Sequence, residues 1–214
     1  MNKKLLLIGG GGHCKTVIEA IESKNHYNQI GIIDIKNNIG KFILKHPIIG
    51  TDQNLKKLRE QGYEHAFISM GSIGDPTKRM ALYRLVKELK FQVPIIIDQT
   101  AHVSHYAKIS EGAFVGKNVI VNADAVIDEC VILNTGCIIE HDCRIGGFSH
   151  IAPGAVLSGN VTIGEGAHIG ANSVIRQGIR VGERTVIGVG SVVVKDIESE
   201  CVAVGNPCRK VEKH

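Results

Sequence analysis

The 214-residue chain has no tryptophan and only five phenylalanines, four tyrosines and five prolines. A core organised around large aromatic rings is thereby excluded, and the aromatic-studded basic surface of a nucleic-acid binder is absent too. Six cysteines (Cys14, Cys130, Cys137, Cys143, Cys201 and Cys208) include no Cys-x-x-Cys pair. They offer no zinc or redox motif and read as small thiols of a reducing compartment. Long apolar runs are also missing. Residues 145–164 are uncharged, but they carry five glycines, Pro153, His150 and Asn160, which excludes a membrane span. Near the N-terminus four apolar residues precede four glycines, too few for the core of a secretory signal, so a cytoplasmic protein is expected.

What the chain does have is glycine, 25 residues of it, without a Gly-X-Y period. A hydrophobic share of 43% and a charged share of 21% exclude disorder. Charge divides the chain. Residues 1–98 hold 15 Lys and Arg against 9 Asp and Glu, net +6, whereas residues 99–214 hold 10 against 12, net −2. Two domains with that boundary are expected, the basic one suited to a small anionic ligand.

The second half is a repeat. Stepping by six from Val103 gives Val103, Ile109, Val115, Val121, Ile127, Leu133, Ile139, Ile145 and so on to Val193, sixteen branched aliphatics without a break. Four places after each comes a mostly small residue, such as Ala113, Cys137, Cys143, Ser149 or Ala155. A period of six fits neither an α-helix nor simple strand alternation. It fits short strands joined by tight corners, three hexads to an 18-residue triangular coil, with equivalent residues stacked about 4.8 Å apart. So thin an interior has no room for tryptophan. Gly112, Gly136, Gly154, Gly166 and Gly178 fall at the corners.

In the first half, residues 5–8 read as a buried strand running into Gly9-Gly10-Gly11-Gly12-His13, followed by a helical pattern. Further strands are expected at 30–34, 65–70 and 93–97. Helices are expected between them, one capped at Thr51-Asp52 and one opened by Asp75-Pro76. This order implies a parallel, Rossmann-like α/β sheet that gathers ligands at the carboxyl ends of its strands. Lys15 occupies the third glycine's place of a dinucleotide fingerprint, and the phosphate-loop pattern fails as well. A glycine-lined turn able to meet a phosphate remains.

The repeat, with the closing Gly205-Asn206-Pro207-Cys208-Arg209-Lys210, resembles the hexapeptide-repeat acyltransferases, which implies a left-handed parallel β-helix over 99–214. Joined to a strand, glycine turn and His at the start, it is similar to the PglD/NeuD group of bacterial sugar acyltransferases. That resemblance implies an acetyl-CoA-dependent enzyme acting on a nucleotide-linked amino sugar, of the UDP-4-amino-4,6-dideoxy type, for surface glycan or nonulosonic acid synthesis. O-acetylation of a sialic-acid-type sugar is the alternative, and no residue separates amine from hydroxyl. By the same resemblance Gly11, Gly12, His13, Asp34, Ile35 and Gly71 bind the sugar nucleotide. His141, in Ile139-Glu140-His141-Asp142-Cys143, is the general base and Asp142 assists it. His150, Gly159, Ala171, Val189, Arg209 and Lys210 meet acetyl-CoA, and the assembly is a homotrimer with sites between neighbouring prisms.

Read from residues alone, a histidine between two carboxylates at a corner fits a base near neutral pH, and equally a surface histidine. His168, one coil beyond His150, reads as an exposed stacked side chain. No cysteine nucleophile, metal, nucleic acid or membrane is implied. Two rivals differ in class: a zinc β-helix enzyme of the γ-carbonic-anhydrase kind, against which Gly146 stands where a histidine ligand is needed, and a non-enzymatic scaffold.

Overall fold

The computed structural model describes residues 3–24 and 26–211. The chain divides into two compact units. One comprises residues up to Gly71 together with Thr77–Gln99; the other comprises Ser72–Pro76 and everything from Thr100. No sequence signal marks the excursion Ser72–Pro76 as part of the second unit.

In the first unit, strands β1 (Lys4–Ile8), β2 (Gln29–Ile33), β3 (Phe42–Ile43), β4 (His46–Gly50) and β5 (Tyr63–Ile68) lie in the order β3-β4-β2-β1-β5. All pairings are parallel except the β3–β4 hairpin. Leu5, Leu6 and Leu7 are wholly buried, as a parallel strand covered on both faces requires. Helices α1 (Gly12–Glu22), α2 (Leu55–Glu60) and α3 (Thr77–Glu88) complete the unit. Leu55 and Leu58 of α2 and Leu82 and Val86 of α3 join Leu6, Ile8, Ile33 and Ile68 in one core cluster.

The strand expected at 93–97 is reduced to Ile96–Ile97 and is not in this sheet. Gln92 makes a single bridge to His65, and Pro94, with no N–H to donate, cannot continue the ladder. The fourth parallel strand is β4, which the sequence reading passed over. It carries Pro47 and is reached through a turn with Leu44 at φ 52°, a place where glycine or asparagine is the usual signal.

The second unit follows the six-residue cadence throughout. All sixteen aliphatics close two-residue strands, from His102–Val103 to Val192–Val193. Each strand pairs in parallel with the one 18 residues away, as in Ile120↔Ile138 and Ile138↔Val156. Three sheets result, and they enclose the aliphatic column: from Val115 onward every member is 2% exposed or less. Val103 and Ile109 are half-buried because the first coil stacks on one side only. The small positions fill the remaining interior, and their hydroxyls are not orphaned. Ser173 Oγ donates to the Gly188 carbonyl at 2.9 Å and Thr185 Oγ1 to that of Glu198 at 2.6 Å.

The corners are more regular than their glycines suggest. Fourteen successive positions six apart, from Gly112 to Gly190, all have φ between 52° and 73°. Eight are not glycine: Asn118, Asp124, Cys130, Asp142, Phe148, Asn160, Asn172 and Arg184 occupy the same left-handed slot, which asparagine and aspartate tolerate best.

Candidate active site

His141 and Asp142 form one of these corners, where the face containing Ile138–Ile139 turns into the face containing Arg144–Ile145. Asp142 takes the left-handed slot at φ 63°. Its Oδ2 lies 2.7 Å from His141 Nδ1. A carboxylate only accepts, so Nδ1 carries the proton and Nε2 keeps its lone pair. The hydrogen bond to Asp142 raises the His141 pKa above the ordinary histidine value, opposed by desolvation and reinforced by the charges of Asp142 and Glu140. Both side chains are 56% exposed. They line an open groove of about 620 Å³ shared with Lys108, Arg144, Asp124, Asn160 and Gln177.

Spacing by 18 sorts the other candidates of this unit into columns. Gly159 stands one coil from His141 on the same edge and lies directly against its ring. Ala171 and Val189 fall in a different corner column, at the opposite border of the face that carries Ile138. His150 is on a third column, facing outward from its strand. Its Nδ1 donates to the Ser72 carbonyl at 3.0 Å, leaving Nε2 to accept from Asn134 Nδ2 at 3.2 Å. His168 corrects the sequence reading: it is 7% exposed, not solvent-facing, and its ring meets that of His150 edge-on at 4.9 Å. Burial lowers its pKa. Arg209 and Lys210 lie on the terminal antiparallel strand, both exposed, with Lys210 Nζ 2.8 Å from Glu198.

In the first unit a cavity of about 560 Å³ opens at the carboxyl ends of β1, β2 and β5. Asp34 and Ile35 line it. The Asp34 carboxylate accepts from the Ile35 N–H at 2.8 Å and from Asn38 at 3.1 Å. Gly10 underlies that carboxylate, since a Cβ there would stand 2.6 Å from Asp34 Oδ2. Gly11, Gly12 and His13 form the start of α1, and Gly71 is next to His13, outside the lining of the cavity itself. No side chain caps α1 and no acid sits in its first turn, which leaves its N-terminus favourable to an anion. Sequence reasoning missed Lys36, Asn54 and Lys78, which share the cavity. The two lysines are visible in the basic balance of residues 1–98, but only the fold gathers them.

The first unit matches the PglD N-terminal domain family over residues 4–86. The prism matches the bacterial transferase hexapeptide (six repeats) family over residues 142–177 and 160–195. PerB from Caulobacter crescentus, in complex with CoA and GDP-perosamine, is 33% identical, with a TM-score of 0.92 over 99% of each chain. The acetyltransferase domain of PglB from Neisseria gonorrhoeae FA1090, in complex with acetyl coenzyme A, is 34% identical, with a TM-score of 0.92 over 99% of this chain and 100% of that one. The chain belongs to the PglD group of hexapeptide-repeat sugar acetyltransferases. WeeI from Acinetobacter baumannii AYE, 22% identical with a TM-score of 0.87, shares the fold.

The prism of this acetyltransferase is therefore the left-handed β-helix of the hexapeptide-repeat enzymes, and the carbonic-anhydrase and scaffold alternatives are set aside. Its cysteines are all free and buried. Burial pushes the Cys137 thiol up to about 12 and that of Cys14 to about 11, far from a reactive thiolate. Among the described residues of the acetyltransferase, no helix is long and apolar enough to cross a membrane.

Proposed function

We propose that the enzyme transfers the acetyl group of acetyl-CoA to the amine of a nucleotide-linked amino sugar, with His141 as general base. The observation that carries this is the His141–Asp142 corner: an imidazole that lines an open groove and whose Nδ1 is held by a carboxylate, which leaves Nε2 as the proton acceptor. In the reaction the sugar nitrogen attacks the thioester carbon as Nε2 takes its proton. The C–N bond forms, the C–S bond breaks, and the departing CoA thiolate recovers the proton from the imidazolium. Asp142 stabilises that imidazolium. Acetyl-CoA as donor is supported by PglB and PerB, whose structures hold acetyl coenzyme A and CoA.

Residues 1–98 bind the nucleotide, with the diphosphate at the start of α1 (Gly11, Gly12, His13, beside Gly71) and Asp34 and Ile35 at the nucleoside. Residues 99–214 carry the transfer. We take the acceptor to be a UDP-linked 4-amino-4,6-dideoxy sugar, as the resemblance to the PglD/NeuD group implies. A second reading, a GDP-linked sugar, is supported by the GDP-perosamine bound to PerB. We place the reaction in the cytoplasm.

A homotrimer is part of the proposal. His141 and Gly159 flank one border of the face bearing Ile120, Ile138, Val156, Val174 and Val192, and Ala171 and Val189 flank the other. One chain does not unite these columns, whereas an edge of one prism set against the opposite edge of the next would. Beyond His102 at its first coil, the outward stripe between them is aliphatic, with Val174 40% exposed, as a self-associating face should be. His150, Arg209 and Lys210 would then meet CoA from the neighbouring copy.

A thermal-shift panel of UDP, GDP and CMP, each with and without acetyl-CoA, tests the assignment. The cognate nucleotide at a hundredfold excess over its Kd should stabilise by about 2.7 kcal/mol. Stabilisation by CMP alone would favour O-acetylation of a sialic-acid-type sugar. Full transfer by His141→Ala would remove the base from this mechanism.

A further inference from the structure

We infer that Gly159 is a positioning residue for the base: its missing side chain lets the His141 imidazole lie over the next coil with Nε2 at the groove. This rests on the reading of His141 given above. The two residues are one coil apart in one corner column, and their coils are tied by the Asn160 N–H donating to the His141 carbonyl at 2.8 Å. A Cβ on Gly159 would stand 2.6 Å from His141 Cε1 and 2.7 Å from Nε2, against 3.3 Å from Nδ1. The clash therefore falls on the edge of the ring that must take the proton, not on the edge that Asp142 holds.

Backbone geometry does not explain a glycine here. Gly154, Gly166 and Gly178 occupy left-handed slots, whereas Gly159 does not. Its column neighbours Ala123 and Gln177 show that side chains fit the same corner position on other coils. Ala123 has an imidazole above it as well, that of His105, but there the slot residue is Tyr106; what distinguishes coil 159 is an imidazole above it held in place by a carboxylate, that of Asp142. A ring 56% exposed can swing away from an added methyl at small cost to the fold, but the swing breaks its 2.7 Å bond to Asp142. Gly159→Ala should thus separate positioning of the base from folding.

The test compares the full-length wild type with Gly159→Ala by NMR titration of the His141 ring and by thermal melting, neither of which needs an acceptor. Gly159 is itself buried, but the nearest atoms an added methyl meets belong to the exposed His141 ring, so the variant should melt within about 2 °C of wild type. Its His141 should titrate at a lower pH than in wild type and lose the Nδ1–H tautomer preference. With the acceptor that the wild type acetylates, kcat should fall about tenfold or more. An unchanged His141 titration and tautomer in Gly159→Ala would overturn the inference, whatever His141→Ala does to transfer. A raised KM for acetyl-CoA with an unchanged titration would likewise overturn it and leave Gly159 as a contact of the CoA arm alone.

Discussion

Asp142 Oδ2 sits 2.7 Å from His141 Nδ1, and the two residues are adjacent in the chain at a left-handed corner. Contact between neighbours this close is possible because the corner turns the carboxylate back on the preceding ring. The pair raises the histidine's pKa, so the neutral base should appear only as pH climbs through that raised value. Activity should rise along an acidic limb set by His141. Asp142→Asn should move that limb to lower pH, because the neutral amide no longer favours the imidazolium, and should lower the plateau about tenfold to a hundredfold. A pH–rate profile of kcat/KM for the two proteins checks both the direction and the size.

His141→Gln keeps the corner while removing the base. Transfer should fall by roughly 10²–10⁴, the range a general base contributes, with melting little changed. A steady-state assay of free thiol release from acetyl-CoA measures it.

His168 predicts an opposite pH effect, on stability. Burial lowers its pKa, so the fold prefers the neutral ring while the unfolded chain titrates near about 6.5. This contribution is fully present above the unfolded pKa and is lost as pH falls through the folded one. Melting temperature should drop on acidification from neutral pH, and His168→Phe, which keeps an aromatic ring against His150, should flatten that drop. Differential scanning calorimetry across the range decides it.

The stacked interior and the corners should answer differently to substitution. Leu157→Ala opens a cavity in a fully buried column and should cost about 2–5 kcal/mol by denaturant titration. Gly178→Ala meets no atom within 4 Å, yet its φ of 73° makes the added Cβ cost about 1–2 kcal/mol. Equal costs would mean that packing and backbone strain are not separable in this repeat.

Ile138→Asp places a carboxylate on the aliphatic outer stripe without touching the interior. A trimer of wild type and a monomer of the variant are expected by sedimentation. A variant that sediments with wild type would remove this face from the assembly.

Much of this was legible beforehand, and unevenly. The hexad aliphatics are an all-or-none signal because each must stack on its equivalent 18 residues away, and every one closes a strand. Column arithmetic was equally available, and it already separates Ala171 and Val189 from His141 and Gly159. The α/β unit was less readable. β4 hides behind Pro47 and a turn with Leu44 at positive φ, and Pro94 cuts the apolar run at 93–97 to the two-residue strand Ile96–Ile97 outside the sheet. His168 looked exposed because periodicity tells which side of a strand a residue takes, not what covers that side. Lys36 and Lys78 come from separate elements, so only the folded sheet brings them to one cavity.

The left-handed slot at Asp142 is filled at equivalent corners by Asn118, Asn160 and Asn172, residues of the same size and shape. A corner with asparagine differs from a corner with aspartate by one oxygen for one nitrogen. The backbone that aims the carboxylate is thus standard equipment of the coil, present many times over. A new proton-transfer centre on such a scaffold asks for a histidine before the slot, an acid in it and a bare α-carbon one coil on: three side-chain edits and no change of fold.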